Sequence, residues 1–360
     1  MKHHLGLIKE PSYETRVAFL PEEVKKLIDK YEVKISVEKD YGIQLGIRDV
    51  EYTTAGARLS SKSEILQNAN LILSINDAIG EQESVPPETS FIGIYNPLFF
   101  PERLQKYKNQ KTLVYSLDRL PRTTLAQAMD VRSSLDALSG YKAVLKATDY
   151  YTKVFPMITT ATKTLKPARV LVLGAGVAGL QAIATAKRLG AIVHAFDVRK
   201  AAGEEVRSLG AKFIEIEGNK EETNAGGYAV EQADDYKKRQ QDRINEQLLT
   251  TDLVICTANI PGKKAPILVD EDGVKNMPSG AVIIDLAAEQ GGNCSLTKNN
   301  EIVKYNSVRI LGDSHLSKEL PDAASQLLSG NFFNFIKHMI EKGADNDLIA
   351  ATQVINQENT

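Results

Sequence analysis

Cysteine is scarce in this chain of 360 residues. Cys256 and Cys294 are the only two, and they stand far apart without the spacing of metal ligands. Such a pair is typical of buried reduced thiols, so we expect neither a disulfide framework nor a zinc site. The cysteine content therefore favours the cytoplasm as the compartment.

An excess of charge and a long apolar run are also lacking. Lysine and arginine total 44 against 46 acidic residues, which gives a formal net charge of −2. Because the chain has no excess of positive charge, binding to nucleic acid or to an anionic membrane surface is not expected. No apolar run approaches the roughly 20 residues of a membrane span, and the N-terminus lacks the apolar core of a signal peptide. Any membrane role should come through a partner.

Histidine is sparse, and none of the five is clearly placed for catalysis. A dehydrogenase that reduces a carbonyl with a nicotinamide normally needs a proton donor beside the hydride acceptor, most often histidine. No Ser/His/Asp or Cys/His set is convincing either. The histidines are His3, His4, His194, His315 and His338.

The sequence does contain a strand, a glycine-rich turn and a helix in the order that binds dinucleotides. An apolar run at 170–173 is followed by Gly174, Gly176 and Gly179 and then by a helical pattern. The first glycine would make the turn, the second would let the backbone approach a pyrophosphate, and the third would pack helix on strand. The helix N-terminus would supply N–H groups to the phosphates.

Asp197 ends the next apolar run, and its carboxylate indicates which of the two nicotinamide dinucleotides binds. A carboxylate at the end of the second strand accepts hydrogen bonds from the ribose 2′-hydroxyl and repels a 2′-phosphate. The sequence therefore predicts NAD(H) and not NADP(H). A glycine turn without a ligand is disfavoured, because the strand, the helix and the acidic residue all fall where the mechanism needs them.

Strand-like and helix-like runs alternate both before and after the glycine motif. This alternation predicts an α/β protein with two doubly wound parallel-sheet domains joined by long helices. We expect an N-terminal domain at residues 1–135, completed by residues 315–360, and a cofactor domain at 136–314. Helices are expected within 49–67, and 343–360 should be a polar tail or a terminal helix leading to another subunit.

A polar cluster opens the long helical pattern that runs from Thr124 to Phe155. Within the cluster, Asp130 and Ser133 are three residues apart and share a face. Two interpretations stay open. In the first, Asp130 and Arg122 form a surface ion pair and the serines are helix caps. In the second, Arg122, Gln127, Asp130 and Ser133 face the nicotinamide across a cleft between the domains.

Several motifs in order resemble the NAD(H)-binding component of proton-translocating nicotinamide nucleotide transhydrogenases. The resemblance covers nearly the whole chain, including the opening 8–18 and the 122–134 segment. The motifs in the second half are GAGVAGLQAIATAKRLGA at 174–191, DVR at 197–199, AGGYA at 225–229, IPGK at 260–263 and IDLAAEQGGNC at 284–294.

Alanine dehydrogenases share this architecture and are the main alternative. In that family the substrate is contacted by an N-terminal arginine, a lysine, a catalytic histidine and an aspartate. This chain keeps Arg16, but it has Ser74-Ile75-Asn76 where the lysine belongs, Tyr95-Asn96-Pro97 where the histidine belongs and Glu289 where the aspartate belongs. Loss of the proton donor removes carbonyl reduction but not hydride exchange between two nicotinamides, so the transhydrogenase interpretation is favoured. A non-catalytic NAD-sensing module is a third class.

The resemblance implies a homodimer that binds NAD(H), with NADP(H) on a partner subunit. Because the chain has no membrane helix, it should be one polypeptide of a split enzyme, peripheral on the inner membrane through NADP(H)-binding and membrane-spanning subunits. Asn259 stands where the family more often has leucine. The implied catalytic residues are Arg122, Gln127, Asp130 and Ser133, and the implied cofactor contacts are Gly174, Ala175, Gly176, Val177, Ala178, Gly179, Asp197, Val198, Arg199, Gly227, Gln240 and Asn259.

Overall fold

The chain divides into two compact units. The structure is a computed structural model that describes residues 3–77, 79–80, 83–216, 234–260 and 262–355. The first unit joins Met1–Leu135 with Leu320–Thr360, and the second is Asp136–Glu319. Two segments of chain, which flank the second unit in the sequence, therefore build the first unit.

The second unit ends at Glu319 and not at residue 314, where the sequence suggested the boundary. Leu316 is buried in the second unit's core, and the Glu319 carboxylate pairs with Lys142 at 3.2 Å and with Lys146 at 2.6 Å. These contacts keep the short helical turn at Leu316–Glu319 with the second unit. The sequence missed it because one turn of helix carries no period to detect.

The strands are named here in chain order. They are β1 (His4–Leu7), β2 (Lys34–Glu38), β3 (Arg58–Ser60), β4 (Leu71–Leu73), β5 (Ser90–Gly93), β6 (Leu113–Ser116), β7 (Ile158–Thr159), β8 (Thr164–Leu165), β9 (Arg169–Leu173), β10 (Ile192–Phe196), β11 (Lys212–Phe213), β12 (Leu253–Cys256), β13 (Val282–Asp285), β14 (Glu301–Tyr305), β15 (Val308–Gly312) and β16 (Gln353–Ile355).

The helices are named in the same way. They are α1 (Pro21–Tyr31), α2 (Asp49–Thr54), α3 (Lys62–Asn68), α4 (Gln105–Asn109), α5 (Val131–Tyr150), α6 (Val177–Arg188), α7 (Ala202–Ser208), α8 (Asp234–Leu248), α9 (Glu271–Lys275), α10 (Pro321–Lys342) and α11 (Asp347–Ala350). Short 3-10 helices lie at Ile43–Leu45, Pro101–Leu104, Leu117–Arg119, Thr124–Met129, Ala288–Gln290 and Leu316–Glu319. Among the described helices, none is both long and apolar enough to cross a bilayer.

The first unit contains a seven-stranded sheet in the order β16-β6-β5-β4-β1-β2-β3. Its strands pair in parallel except β16, which runs antiparallel to β6. Leu5 and Leu7 enter the core on one face, whereas Ile72 and Phe91 enter the core on the other. The strand order reverses between β1 and β4, which is where α/β sheets open a crevice.

One expectation for the first unit was incomplete and another was wrong. The span 49–67 contains β3 between two helices, and this edge strand escaped notice because Arg58 and Leu59 are exposed and give no alternation. The C-terminal residues do not lead away to another subunit as far as residue 355. Ile349 and Ile355 are buried, and β16 covers the edge of the chain's own sheet.

The second unit has a seven-stranded sheet in the order β11-β10-β9-β12-β13-β15-β14. Val170 and Val172 of β9 enter the core on one face, and Leu171 and Leu173 enter the core on the other. A strand buried on both faces reads as a continuous apolar run, as seen in the sequence. The predicted fold class of two doubly wound parallel sheets is confirmed, with an antiparallel strand at one edge of each.

Helix α5 runs across the boundary between the units and lies against α6 within the second unit. A Cβ at Gly140 would meet the Ala178 carbonyl oxygen at 2.0 Å. Because that neighbour is backbone, it cannot turn away as a side chain could. Gly140 is therefore required by the close approach of the two helices, and not by its backbone angles.

We expect Gly140→Ala to lower the free energy of unfolding by about 1–3 kcal/mol, the usual cost of overpacking. Gly330→Ala in α10 is the matched control, because nothing lies within 4 Å of a Cβ there. This control should be stabilised by about 0.5–1 kcal/mol through helix propensity. Urea unfolding of both variants measures the difference. Equal stability of the two would mean that the helices are not in this contact in solution.

Candidate functional site

The first glycine of the motif makes a turn that no other residue fits. Gly174 follows β9 with a φ of +97°, and a Cβ there would lie 2.7 Å from the Thr257 hydroxyl oxygen. The Gly174 N–H donates to the Phe196 carbonyl at 2.8 Å. The backbone angle and the crowding both require glycine at this position, and the hydrogen bond holds the turn against β10.

The other two glycines have different reasons. A Cβ at Gly179 would lie 1.9 Å from the Gly174 carbonyl oxygen, so glycine lets α6 pack against the turn. Gly176 caps the helix and is exposed, and a Cβ there would meet nothing within 4 Å. The fold therefore does not require glycine at 176. A ligand that approaches the backbone closely would need the empty space beside Gly176.

Helix α6 turns its first amides toward this space. Val177 and Ala178 are its first two residues and are half-buried. The first N–H groups of a helix have no carbonyl partner within it, and the helix dipole places partial positive charge at this end. Together with the open position at Gly176, these amides form a site suited to a pyrophosphate.

Thr257 fixes the glycine turn from the neighbouring strand, and sequence reasoning missed it. Its hydroxyl lies 2.9 Å from the Gly174 carbonyl and 3.2 Å from the Leu173 carbonyl, and its N–H donates to the Leu173 carbonyl at 2.7 Å. A threonine after a strand is too common to be a signal by itself. Only the strand order, which places β12 beside β9, reveals the role.

Asn293 and Asp285 hold the loops that follow β12 and β13. The buried Asn293 amide donates to the Ala258 and Pro266 carbonyls, both at 2.8 Å, and its side-chain oxygen accepts from the Ala258 N–H. Asp285 accepts from the Asn293 N–H at 2.8 Å and from the Thr297 hydroxyl at 2.7 Å. The 284–294 motif is therefore a scaffold for the site, in addition to any ligand contact.

Asp197 lies where the sequence places it, but its carboxylate is already bonded. It accepts from the Ala175 N–H at 2.7 Å and the Arg199 N–H at 2.8 Å, and from Nε and Nη2 of Arg199, both at 3.0 Å. These four bonds match the usual acceptor capacity of a carboxylate. A ribose hydroxyl can bind Asp197 only if one donor moves, and Arg199 is the donor on a side chain.

The remaining residues predicted to contact the cofactor follow strands of the second sheet or lie on α8. Val198 is half-buried between Asp197 and Arg199, Asn259 is exposed after β12, and Gln240 is buried on α8. Gly227 lies outside the described residues. Tyr236 of α8 was not predicted; burial and then the Asp197 charge raise the pKa of its hydroxyl, so Tyr236 lies near that carboxylate.

The polar cluster of the first unit is built on a 3-10 helix at Thr124–Met129. Residues three apart lie above one another in this helix. Ala126 and Met129 accordingly enter the core together, and Gln127 is exposed. Asp130 follows this helix in an extended conformation and is half-buried. Arg122 is exposed in the extended segment that precedes the helix.

Asp130 is not inside a long helix, as the sequence suggested, but caps the start of α5. Its Oδ1 accepts from the Arg132 N–H at 3.0 Å and the Ser133 N–H at 3.1 Å, and its Oδ2 accepts from the Ser133 hydroxyl at 2.6 Å. The aspartate is thus the cap and the serine its partner. One acceptor position on Oδ2 remains for a ligand, so capping and ligand binding are not alternatives.

The crevice at the order reversal of the first sheet is lined by acidic and amide side chains that bond one another. Glu10 accepts from the Ile75 and Asn76 N–H groups, and burial raises its pKa to about 7. The Asn76 amide also donates to Glu14 at 2.8 Å. Glu14 receives Arg16 through Nε at 2.6 Å and Nη2 at 2.7 Å. Arg16 therefore binds a carboxylate of its own chain.

Two family models together match nearly the whole chain. The model for the alanine dehydrogenase/PNT N-terminal domain matches residues 6–139, and that for the C-terminal domain matches 143–359. In Rickettsia prowazekii, the polypeptide named as the first part of NAD(P) transhydrogenase subunit alpha is 40% identical to this chain. The match spans 95% of this chain and 91% of the relative's own length.

The chain also resembles a solved transhydrogenase structure and, more distantly, an alanine dehydrogenase. The crystal structure of a transhydrogenase from Sinorhizobium meliloti is 36% identical, covers 99% of both chains and superposes with a TM-score of 0.88. The alanine dehydrogenase of Staphylococcus saprophyticus is 28% identical over 80% of this chain and 73% of its own length. The chain is thus more similar to these transhydrogenases than to this alanine dehydrogenase.

The three glycine roles predict distinct outcomes for substitution. Gly176→Ala should leave thermal stability unchanged but weaken dinucleotide binding by at least about tenfold, or 1.4 kcal/mol, because the methyl occupies ligand space. Gly179→Ala should lower stability, because its Cβ would contact the Gly174 carbonyl. Calorimetric titration with NADH and a melting curve measure both. Unchanged NADH affinity in Gly176→Ala would remove this turn from the binding site.

Proposed function

Since this chain belongs to the alanine dehydrogenase/PNT family, we propose that it is the NAD(H)-binding component of a nicotinamide nucleotide transhydrogenase. It passes a hydride between NADH and an NADP⁺ that a partner subunit holds. The observation that carries the proposal is a combination of two features. The glycine turn suits a dinucleotide, and the chain has no proton donor at the position where a dehydrogenase would have one. Hydride exchange between two nicotinamides needs no such donor.

The residues at the expected donor position argue against alanine oxidation. Tyr95 and Asn96 follow β5, and burial raises the pKa of the Tyr95 hydroxyl further above its usual value. A general acid or base works best with a pKa near the operating pH. Neither a buried tyrosine nor an asparagine meets that need. The crevice that contains Arg16 already holds the Glu14 carboxylate.

NAD(H) is the dinucleotide we propose for this chain. Arg199 is committed to Asp197 through Nε and Nη2, and the Asp197 side chain is only 8% exposed. A 2′-phosphate would have to break this pair and lie against the carboxylate. A 2′-hydroxyl needs only one acceptor position, which a small movement of the guanidinium would free. NADH should therefore bind more tightly than NADPH.

The cluster in the first unit would hold the nicotinamide end of the cofactor. Reacting carbons must approach to roughly 3–3.5 Å, and misplacement by about 1 Å can cost around a hundredfold in rate. The glycine turn and Asp197 restrain only the phosphates and the adenosine. Asp130 offers an acceptor on Oδ2, Ser133 a hydroxyl and Gln127 an exposed amide, while Arg122 lies at the entry to the same segment.

Asp130→Asn separates the two roles of this residue. Asparagine still caps a helix, but it presents an amide N–H₂ group in place of one carboxylate oxygen. In a mixture with the NADP(H)-binding subunit of a related transhydrogenase, we expect hydride transfer to fall at least about tenfold, or 1.4 kcal/mol of barrier. NADH affinity should change little, because the adenosine and pyrophosphate contacts remain.

Asp270→Asn is the control, because Asp270 caps α9 by accepting from the Gly273 N–H at 2.7 Å. It should transfer hydride at the wild-type rate in stopped-flow measurements with an NADP analogue. A wild-type rate for Asp130→Asn would place the cluster outside the reaction. Formation of NADH from NAD⁺ and alanine by the wild-type chain alone would favour the alanine dehydrogenase alternative. NADH binding without any hydride transfer would favour the sensing module.

A homodimer is the proposed assembly, with the hairpin β7–β8 as its contact. This hairpin forms a two-stranded sheet separate from the two large sheets. Met157, Ile158 and Leu165 are 65%, 39% and 40% exposed. A lone hairpin is at best marginally stable in water. Packing against its copy about a two-fold axis would cover the apolar side chains of both chains.

Sedimentation equilibrium tests the dimer directly. Wild type should sediment as a dimer at micromolar concentration, and a chain with both Met157→Glu and Ile158→Glu should sediment as a monomer, because four buried charges would oppose pairing. Ile302→Glu is the control, since Ile302 is 55% exposed on the edge strand β14, which belongs to a different sheet from the hairpin. A monomeric wild type, or a dimeric double variant, would contradict the proposal.

Attachment to the membrane would come through the other subunits. The relative from Rickettsia prowazekii is named as one portion of a subunit alpha, and that name implies further polypeptides in its enzyme. We propose that the NADP(H)-binding and membrane-spanning polypeptides of such a complex are the partners of this chain. The chain would then be peripheral on the inner membrane.

A further inference from the structure

The C-terminal helix α10 holds the segment that carries Gln127 and Asp130. The Asn331 side chain donates through Nδ2 to the Ala128 carbonyl at 3.0 Å. The Asn334 amide lies 3.4 Å from the same oxygen, but its nearer acceptor is the Gly330 carbonyl at 2.9 Å. Ala128 stands between Gln127 and Asp130. One buried amide therefore restrains the peptide beside both.

The other contacts of this segment fix its two ends and its depth. At the start the Thr123 hydroxyl accepts from the Ala126 N–H at 3.3 Å, and at the end Asp130 caps α5. Ala126 and Met129 are buried in the first unit's core. Apolar burial is non-directional, so these side chains fix how deep the segment lies but only weakly how it is turned. A hydrogen bond to a carbonyl has a preferred line of approach. Between the two ends, the bond from Asn331 is the shorter of the two side-chain hydrogen bonds to the Ala128 carbonyl, and it sets the direction of the peptide that joins Gln127 to the Asp130 cap.

Asn331 is an unfavourable residue for stability at its position. Its side chain is 6% exposed, and its Oδ1 is buried with no hydrogen-bond partner among the residues that the structure describes. A buried unsatisfied acceptor destabilises a fold. Turning the amide over would place Oδ1 against the Ala128 carbonyl, so the orientation is forced. Leucine has a similar shape and has no polar atom that would need a hydrogen-bond partner.

We propose that Asn331 is a positioning residue for hydride transfer: by holding the Ala128 carbonyl it sets the direction of Gln127 and Asp130 toward the nicotinamide. The proposal rests on the function proposed above. The positioning role explains why asparagine occupies a buried place where packing alone would favour an apolar residue. Asn331 itself does not contact the cofactor.

Asn331→Leu tests the proposal because a structural role and a positioning role predict opposite results for it. We expect hydride transfer in the mixture with the NADP(H)-binding subunit to fall at least about tenfold, or 1.4 kcal/mol of barrier. NADH affinity should stay close to that of wild type. The melting temperature should not fall, because removal of the unsatisfied Oδ1 offsets the lost bond to the carbonyl of Ala128, which is an exposed residue. Combination with Asp130→Asn should reduce the rate by less than the product of the single effects, because both changes act through one segment.

Ser325→Ala is the matched control on the same helix. The buried Ser325 hydroxyl accepts from the Val17 N–H at 2.8 Å, so its loss leaves a buried donor unpaired in a different loop. This variant should melt at a lower temperature and keep its rate. A wild-type rate for Asn331→Leu, or a lower rate accompanied by a lower melting temperature and lost NADH binding, would overturn the positioning role.

A second readout separates this proposal from the proposed function. The fluorescence of bound NADH reports how tightly the reduced ring is held, without any partner subunit. If wild type transfers no hydride, the proposed function fails. Positioning still stands if Asn331→Leu binds NADH with unchanged affinity but lower ring fluorescence, whereas equal fluorescence in the two proteins overturns it.

Discussion

The close approach of α6 to the end of β9 is the constraint on which the rest of the second unit depends. The Gly174 carbonyl occupies the place that a side chain at 179 would need. Only because that side chain is missing can the helix begin directly over the turn, with its first amides at the point where the strand order reverses. Thr257, Asn293 and Asp285 then fix the turn and the neighbouring loops from β12 and β13.

Much of this architecture could be predicted from the sequence because it repeats a pattern over long stretches. The apolar run of β9, the three glycines and Asp197 have fixed spacing, and their physical reasons are local. Short edge strands were missed, since β3 is exposed and β16 lies among scattered apolar residues. A strand at an edge is specified by its neighbour's unpaired backbone as much as by its own side chains.

The sequence could nominate residues for the candidate site, but it could not predict their hydrogen-bond partners. Asp197 was expected to offer a carboxylate, and the structure shows that Arg199 and Ala175 already bond it. Asp130 and Ser133 were expected on one helix face, and Asp130 instead begins the helix. Asn331 is far along the chain from the carbonyl it holds. No local pattern can report a partner that only the tertiary fold brings near.

The position of β16 near the end of the chain determines which of the two units is completed last during synthesis. The second unit is complete in the chain at Glu319, but the first unit still lacks α10 and the strand that closes its sheet beside β6. Domains commonly fold from the N-terminus as they are synthesised. Here the unit that begins the chain is the last to be finished, so until β16 is released its β6 edge is open to pairing with other nascent chains.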